Sequence, residues 1–187
     1  MTTMMYELEM SLLNIEPRIW RRFAMSGNMG LKKLHSVIQI VMGWEDYHLH
    51  SFEIGGKTYT MDEADWMDYG DTPDGIRYES DFRIRGVLDE GDQFTYQYDF
   101  GDNWQHSIKV VHTGAPQEGV QYPICLAGAR ACPPEDVGGV RGYQNYLEAL
   151  MNPLHEDHEQ MVDWRGPGFD PNAFDVVSIN QQLRKLR

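Results

Sequence analysis

The chain has 187 residues, of which 41% are hydrophobic, so it is long and apolar enough to bury a core without disulfide support. Its formal net charge is −13, which repels nucleic-acid phosphates at long range and makes nucleic acid a disfavoured partner. No apolar run approaches the length of a membrane helix, and the first residues lack the pattern of a signal peptide. We therefore expect a cytoplasmic protein with no membrane partner, in which Cys125 and Cys132 are thiols unless they hold a metal.

The amino-terminal part of the chain predicts strands and one packed helix. Apolar and polar residues alternate over residues 6–12, which is the period of a half-buried strand, and residues 19–25 are expected to form its neighbour. Over residues 31–42 the apolar spacing changes to that of one helix face, and Gly43 is expected to end this helix. Two further strands, joined by a glycine pair, follow at residues 48–54 and 57–61.

Residues 62–81 predict an exposed acidic loop. Carboxylates recur at every third residue, at Asp65, Asp68, Asp71 and Asp74. Oxygen ligands in such a row suit a hard cation, but the segment lacks the ligand order and the closing glutamate of an EF-hand loop. A solvated loop is the preferred interpretation.

The clearest local structure is a hairpin over residues 92–112. A three-residue turn, 101–103, would pair Phe100 with Trp104 and Tyr98 with His106, and it would put every apolar side chain on one face. A shift by one residue would mix the two faces, so an odd-length turn is predicted.

The carboxyl-terminal part predicts an irregular segment followed by helices. Residues 116–134 are rich in glycine and proline and are expected to end the sheet. Helical spacing then follows around Tyr143, again from about His155, and finally over residues 175–186. The prediction is one α+β domain over residues 1–187, with an antiparallel sheet and a packed amino-terminal helix in 1–112 and loops and helices in 113–187.

Five ordered blocks of residues now carry a resemblance to a known family. They are Pro17 to Arg22; Leu34-His35; Gly43 to Asp46 with His48-Leu49-His50; Tyr98 to Trp104 with His106; and Cys132 to Asp136 followed by Gly138-Gly139 and Gly142-Tyr143. The chain resembles the plasmid pRiA4b ORF-3-like family in these blocks, from about Tyr6 to Leu186.

This resemblance implies kinship but no settled biochemical activity. Members of the family occur on plasmids and as passenger genes of insertion elements, some under a resolvase-like label. Many have a cysteine at the position of Val137. Since this chain has two cysteines, it has too few thiolates for a four-cysteine zinc site, and a mixed site completed by histidine stays open.

Arginines, carboxylates and aromatic side chains in the blocks suggest a shared groove. One hypothesis is an arginine-carboxylate clamp that pins the irregular loops to the sheet, because a guanidinium fork satisfies several acceptors at once. The functional version makes the same groove a binding site for a protein, a peptide or a small ligand. The candidate residues are Arg18, Trp20, Arg21, Arg22, Trp44, Asp99, Asp102, Trp104, Glu135, Asp136 and Tyr143.

A second hypothesis is a metal-dependent hydrolase. His48 and His50 are expected on the same face of one strand, where both rings could converge on a cation. His106 is a further candidate ligand, together with His35, Asp99 and Asp102, although each of these side chains also has an ordinary packing or hydrogen-bonding role open to it.

The preferred interpretation is a non-catalytic binding or adaptor protein that requires no cofactor, with a divalent metal as an open possibility. The hydrolase is the first alternative. The second is a nucleic-acid accessory factor that would use the basic strip Arg18–Arg22.

Overall fold

A computed structural model describes residues 4–62, 75–166 and 168–186 of the chain. Its strands form one mixed sheet in the order β5-β4-β3-β6-β7-β1-β2-β8, in which the β4–β5 pair is parallel and the other neighbours are antiparallel. The strands are β1 Met5–Leu12, β2 Trp20–Ser26, β3 His50–Ile54, β4 Lys57–Thr60, β5 Arg77–Tyr78, β6 Gln93–Tyr98, β7 Trp104–Gly114 and β8 Ile124–Ala129. The helices are α1 Leu31–Met42, α2 Gly139–Met151, α3 His158–Arg165 and α4 Val176–Leu183. The predicted α+β class is confirmed.

The sheet has one buried face and one polar face, as alternation along its strands requires. In β1 the apolar residues Leu8 and Met10 are fully buried, whereas Glu7 and Glu9 between them lie on the partly exposed face. In β2 the side chain of Arg21 points to the buried face, and its neighbours Trp20 and Arg22 are only partly buried.

Helix α1 covers the buried face with its apolar stripe. Leu31, Leu34 and Ile38 are fully buried in the core, as the helical spacing predicts. Gly43 ends the helix with a φ of 91°, and its N–H donates to Gln39 O. This left-handed conformation is strained for other residues, so the predicted stop signal is confirmed.

The hairpin has the predicted faces but a different register. Tyr98 pairs with Trp104 and Tyr96 with His106, so the turn contains the five residues 99–103 and the predicted three-residue turn is wrong. The predicted and observed pairings differ by two residues. Because side chains alternate with a period of two, this slip leaves the side chains of both strands on their predicted faces. Phe100, which was predicted to pair with Trp104, falls in the turn and is 40% exposed. The odd length of the turn is confirmed.

The prediction that residues 116–134 end the sheet without a strand is wrong. Residues 124–129 form β8, which pairs with β2 at the edge of the sheet. Cys125 is buried in this strand, and its N–H donates to Asn180 Oδ1 of α4 at 2.8 Å. Tertiary pairing with a strand a hundred residues away outweighs the local glycine and proline content.

Most of the predicted acidic loop, including Asp65, Asp68, Asp71 and Asp74, lies outside the described residues. Its described carboxyl-terminal end is partly ordered against the core, contrary to the prediction. Residues 77–78 form β5, and Glu79, in the short 3₁₀ helix that follows, is only 1% exposed.

The carboxyl-terminal helices complete one side of the molecule. Asp175 caps α4 by accepting hydrogen bonds from the backbone N–H groups of Val177 and Ser178. Helix α4 packs against both β8 and α1. Within the part of the chain that the structure describes, no helix combines the length and the apolar character needed to span a membrane.

Candidate functional site

Three segments that are distant in the chain meet where β3 begins and β6 ends. His48 lies two residues before β3, Asp99 opens the hairpin turn, and Glu135 and Asp136 lie in the loop before α2. The antiparallel pair His50–Tyr98 brings the first two segments together, because the start of one strand lies beside the end of the other.

The hairpin turn is tied to the loop before α2. Asp99 has a φ of 54°, and its Oδ1 accepts hydrogen bonds from the N–H groups of Gly101 and Asp102. Asp102 Oδ2 in turn accepts the N–H of Gly138 at 3.0 Å. Gly139 has a φ of 67°, and a Cβ there would lie 2.5 Å from Asp102 O. A glycine is therefore needed where the loop crosses the turn.

His48 lies among three carboxylates. Its Nε2 is 2.9 Å from Asp136 Oδ1, 3.6 Å from Asp99 Oδ2 and 3.9 Å from Glu135 Oε2. Even so, Nε2 has no hydrogen-bond partner among the described residues. The nearest oxygen therefore lies away from the direction of the ring N–H.

Glu135 is buried and half satisfied. Its Oε1 accepts the N–H of Glu45 at 2.8 Å and the hydroxyl of Tyr98 at 3.0 Å. Its Oε2 has no partner within the described part of the chain. Burial raises the pKa of this carboxyl, and the two hydrogen bonds and His48 act in the opposite direction.

A separate polar group under α1 forms a closed ring of hydrogen bonds. The contacts are His35 Nε2 to Asp46 Oδ1 at 2.7 Å, His35 Nδ1 to Tyr96 Oη at 2.8 Å, Gln39 Nε2 to Tyr96 Oη at 3.0 Å, and Asp46 N to Gln39 Oε1 at 3.0 Å. Burial opposes ionisation of Asp46, but the bond from His35 prevails and lowers the pKa of that carboxyl. The ring fixes the segment that precedes His48.

His50 belongs to this second group. Its ring stacks on His35 with centroids 3.5 Å apart, and its Nε2 bonds Glu79 Oε2 at 2.9 Å. Burial lowers the pKa of His50, against the opposing effect of the Glu79 hydrogen bond. Both ring nitrogens of His35 and one ring nitrogen of His50 therefore have hydrogen-bond partners within the protein.

The predicted convergence of His48 and His50 on one cation is therefore wrong. His48 lies before the strand, among carboxylates, while His50 is inside it, against His35. Alternation along a strand does not apply to a residue that precedes it. Neither cysteine joins a group of three or more potential metal ligands among the described residues.

The predicted arginine-carboxylate clamp is not formed by the three arginines of the basic strip. Arg21 is buried and donates to the carbonyls of Val41 at 2.6 Å, Trp20 at 2.8 Å and Ala129 at 2.9 Å. Arg18 pairs with Glu9 and Arg22 pairs with Glu7 on the polar face of the sheet. Glu9 and Glu7 of the neighbouring strand β1 thus pair with Arg18 and Arg22, in place of the loop carboxylates that the prediction assigned to these arginines.

The predicted aromatic contact surface is part of the core. Trp104 is fully buried, Tyr143 is 2% exposed, and Trp44 stacks on Tyr98 with its Nε1 donating to Pro133 O. His106 is also fully buried, and burial lowers its pKa to about 3. Trp20 lies under the Arg18 guanidinium on the polar face.

A cleft of about 640 Å³ lies next to Glu135, between α1, the loop at residues 131–135 and the carboxyl-terminal segment, residues 168–182. Ile40, Phe169 and Phe174 are among its apolar lining residues. Its polar lining residues include Arg21, Glu45, Glu135, Arg165 and Asp175. Of the eleven predicted groove residues, Arg21 and Glu135 line this cleft, whereas Asp99 and Asp136 join Glu135 around His48.

The chain is similar in sequence and in fold to known proteins. The family model described as plasmid pRiA4b ORF-3-like protein matches residues 4–178, a range that contains every segment just described except the end of α4. The chain belongs to this family.

Two relatives support the assignment. An uncharacterised protein, y4hQ, of Sinorhizobium fredii strain NBRC 101917 / NGR234 is 36% identical over 188 residues, which cover 100% of this chain and 94% of the relative. A crystal structure of a protein of unknown function, MM3350, from Methanosarcina mazei Go1 superposes with a TM-score of 0.83 at 39% identity, over 94% of this chain and 97% of that chain. The family and the fold of the chain are thus shown.

Several site residues escaped the sequence analysis. Tyr98 and Glu45 hold Glu135, and Gln39 and Asp46 complete the ring under α1. Gln39 carried a usable signal, since a polar side chain on the buried face of a helix needs a partner. Glu45 acts through its backbone N–H, which side-chain chemistry does not reveal.

Proposed function

We propose that the chain is an intracellular, non-catalytic binding protein whose ligand occupies the cleft between α1, residues 131–135 and the carboxyl-terminal segment. The observation that carries this proposal is the cleft itself, with a volume of about 640 Å³. Pockets that bind small molecules span roughly 300–1,000 Å³ and combine apolar walls with a few placed polar groups.

The lining favours a ligand with an apolar body and a cationic group. Ile40, Phe169 and Phe174 offer apolar contact area, while Glu45 and Asp175 contribute carboxylates that each have one oxygen outside the hydrogen bonds to Tyr47 and to the α4 backbone. The net charge of −13 reinforces this preference, because it attracts cations at long range. An aromatic amine or a basic side chain of a peptide has this chemistry.

The two arginines in the lining do not reverse the preference. The guanidinium of Arg21 is directed at three backbone carbonyls, and Arg165 donates to Glu135 O at 2.9 Å. Donors bound to protein oxygens in this way are less available to an anionic ligand.

The observations favour binding over the alternatives. The hydrolase hypothesis relied on the joint action of His48 and His50, which lie in different groups. The nucleic-acid hypothesis relied on the strip Arg18–Arg22, whose outer arginines are paired with Glu9 and Glu7.

A thermal-shift comparison tests the proposal with aryl-alkyl amines and carboxylic acids matched in size, such as phenethylamine and 3-phenylpropionate. At ten times its Kd, a ligand stabilises the folded state by about 1.4 kcal/mol, which raises Tm by about 3–5 °C for a chain of this size. We expect such shifts from members of the amine series and none from the acids.

A pair of tryptophan variants supplies the control. Ala173 is an exposed lining residue, so Ala173→Trp should obstruct the cleft and abolish the shift without disturbing the core. Thr58→Trp, at an exposed position of β4, should leave the shift intact. An amine shift that persists unchanged in Ala173→Trp would place the ligand elsewhere and contradict the proposal.

A further inference from the structure

Two unpaired atoms face each other beside the hairpin turn. His48 Nε2 and Glu135 Oε2 are buried, 3.9 Å apart, and without a hydrogen-bond partner among residues 4–62, 75–166 and 168–186. The side chain of Glu135 is only 6% exposed. Buried polar atoms in folded proteins are almost always satisfied, so a pair of open ones aimed at the same space points to a missing partner.

The nearest carboxylate oxygen does not lie on the axis of the His48 Nε2 lone pair. Asp136 Oδ1 is 2.9 Å from Nε2 and yet outside hydrogen-bonding direction. A metal ion would lie on that axis, and its other ligands would surround it. With bonds of about 2.1 Å, two ligands of one ion are about 3.0 Å apart at a right angle and about 3.4 Å apart in a tetrahedron. The separations of 2.9 and 3.6 Å for Asp136 and Asp99 are close to these values, and His48, Asp99 and Asp136 form a group whose ligand atoms all lie within 4.8 Å of one another. Glu135 Oε2, at 3.9 Å from Nε2, lies beside this group.

The charges in the cluster also call for a cation. Three carboxylates converge on one imidazole, and among the described residues none of the three pairs with a lysine or an arginine. Like charges gathered in a partly buried site repel one another, and a divalent ion offsets that repulsion.

Outer hydrogen bonds already orient the ligand oxygens. Glu135 Oε1 is held by Tyr98 and by the N–H of Glu45, which leaves Oε2 directed at His48. Asp99 Oδ1 is held by two N–H groups of the turn, which leaves Oδ2 for the same space. Partners of this kind, which fix one oxygen and free the other, are typical of metal sites.

We propose that His48, Asp99 and Asp136 bind one divalent first-row transition-metal ion beside the open Oε2 of Glu135. One imidazole with carboxylates suits ions that accept both nitrogen and oxygen ligands, such as Mn²⁺ or Zn²⁺. The other candidate group, His35, Asp46 and His50, is less suitable because both ring nitrogens of His35 and Nε2 of His50 already bond Tyr96, Asp46 and Glu79, which leaves only His50 Nδ1 open among its ring nitrogens. This proposal does not depend on a ligand in the cleft.

Metal titration of untagged, EDTA-treated protein tests the proposal. Equilibrium dialysis against Mn²⁺ and against Zn²⁺, with metal measured by mass spectrometry, should give about one ion per chain and a metal-dependent rise in Tm. Asp136→Asn and Glu135→Gln should weaken binding by at least about tenfold, and His48→Ala by at least about a hundredfold, because even the outer partners of metal ligands contribute about 10–100-fold to affinity. The mild variant is Asp136→Asn, because asparagine tolerates the φ of 59° at this exposed position.

Matched controls separate this site from other histidines and carboxylates. His112→Ala removes an exposed histidine elsewhere and should leave the affinity unchanged. His48, Asp99 and Asp136 are not among the described residues that line the cleft, so metal binding by variants at these positions and the amine shift are separate measurements, and this proposal and the binding function can fail independently. Binding that survives Asp136→Asn and Glu135→Gln but is lost in Asp46→Asn would move the ion to the other group and overturn the assignment, as would the absence of stoichiometric binding to either ion.

The stability of the metal-free protein gives a second readout. If the carboxylates exist to hold a cation, Asp136→Asn in EDTA at pH 8 should be at least as stable as the parent, since it removes one of three repelling charges. A merely structural contact between His48 and Asp136 predicts the opposite sign. A lower Tm in EDTA together with unchanged metal affinity would therefore refute the proposal.

Discussion

Substitution of Arg21 by methionine tests how the sheet, α1 and β8 are joined. The Arg21 side chain is 2% exposed, and its guanidinium donates to the carbonyls of Val41 in α1, Trp20 in β2 and Ala129 in β8. Burial lowers the pKa of Arg21, and the neighbouring cysteines act in the opposite direction. Methionine fills a similar volume but provides no donor.

The expected loss follows from the groups left behind. Each unpaired buried carbonyl costs about 1–3 kcal/mol, so the three acceptors together set a penalty of several kcal/mol. Removal of a buried guanidinium offsets part of this, because a charge without a carboxylate partner is itself costly to desolvate. The net destabilisation should be about 2–4 kcal/mol. Phe174, whose ring lies 5.0 Å from the guanidinium carbon, also loses its cation-π partner.

Urea unfolding followed by circular dichroism measures this difference as a change in the free energy of unfolding. Arg22→Met is the matched control: it is the same substitution one residue along β2, on the polar face, where Arg22 pairs with Glu7. Its cost should stay below about 1 kcal/mol, as for other exposed ion pairs. If Arg21→Met were no more destabilising than Arg22→Met, the buried carbonyl contacts would not join these elements as described.

Three further predictions concern the elements that frame the site. Tyr96→Phe removes the hydroxyl shared by the ring under α1 and should lower the free energy of unfolding by about 1–3 kcal/mol in urea, more than the same change at exposed Tyr47. Gly139→Ala should cost at least about 2 kcal/mol in the same assay, because its Cβ would lie 2.5 Å from Asp102 O at a positive φ. Burial lowers the pKa of His106 to about 3, so as pH falls below about 6.5 the unfolded chain binds a proton that the folded chain does not. This group should therefore remove about 2 kcal/mol from the free energy of unfolding between pH 7 and pH 5. In urea titrations, the free energy of unfolding of His106→Gln should fall correspondingly less over this pH range.

The hairpin shows how far a pattern can be followed. Alternation over β6 and β7 predicts which side chains face the core, and Tyr96, Ile108 and Val110 are fully buried as expected. The register differs by two residues, because alternation is the same after an even shift. The turn is longer because Asp99 leaves the ladder and bonds the N–H groups of the turn.

The histidines show where pattern reasoning stopped. The sequence predicts a shared face for His48 and His50, but the strand begins at His50, so the alternation along the strand does not extend to His48. Its neighbours come from the hairpin turn and from the loop before α2, at positions 50 to 90 residues along the chain. Local spacing holds no information about such contacts.

By itself, the sequence determined the class of fold, the helix that ends at Gly43, the buried faces of the central strands and the family. These features depend on local periodicity, backbone preferences and the order of motifs, which can be read directly from the sequence without the tertiary structure. Tertiary structure alone decided the pairing of β8 with β2, the carbonyl partners of Arg21 and the gathering of Asp99, Glu135 and Asp136 around His48. The physical reason is that hydrogen bonds and charge interactions depend on distance in space, and residues far apart in the chain come within that distance only after the sheet has formed.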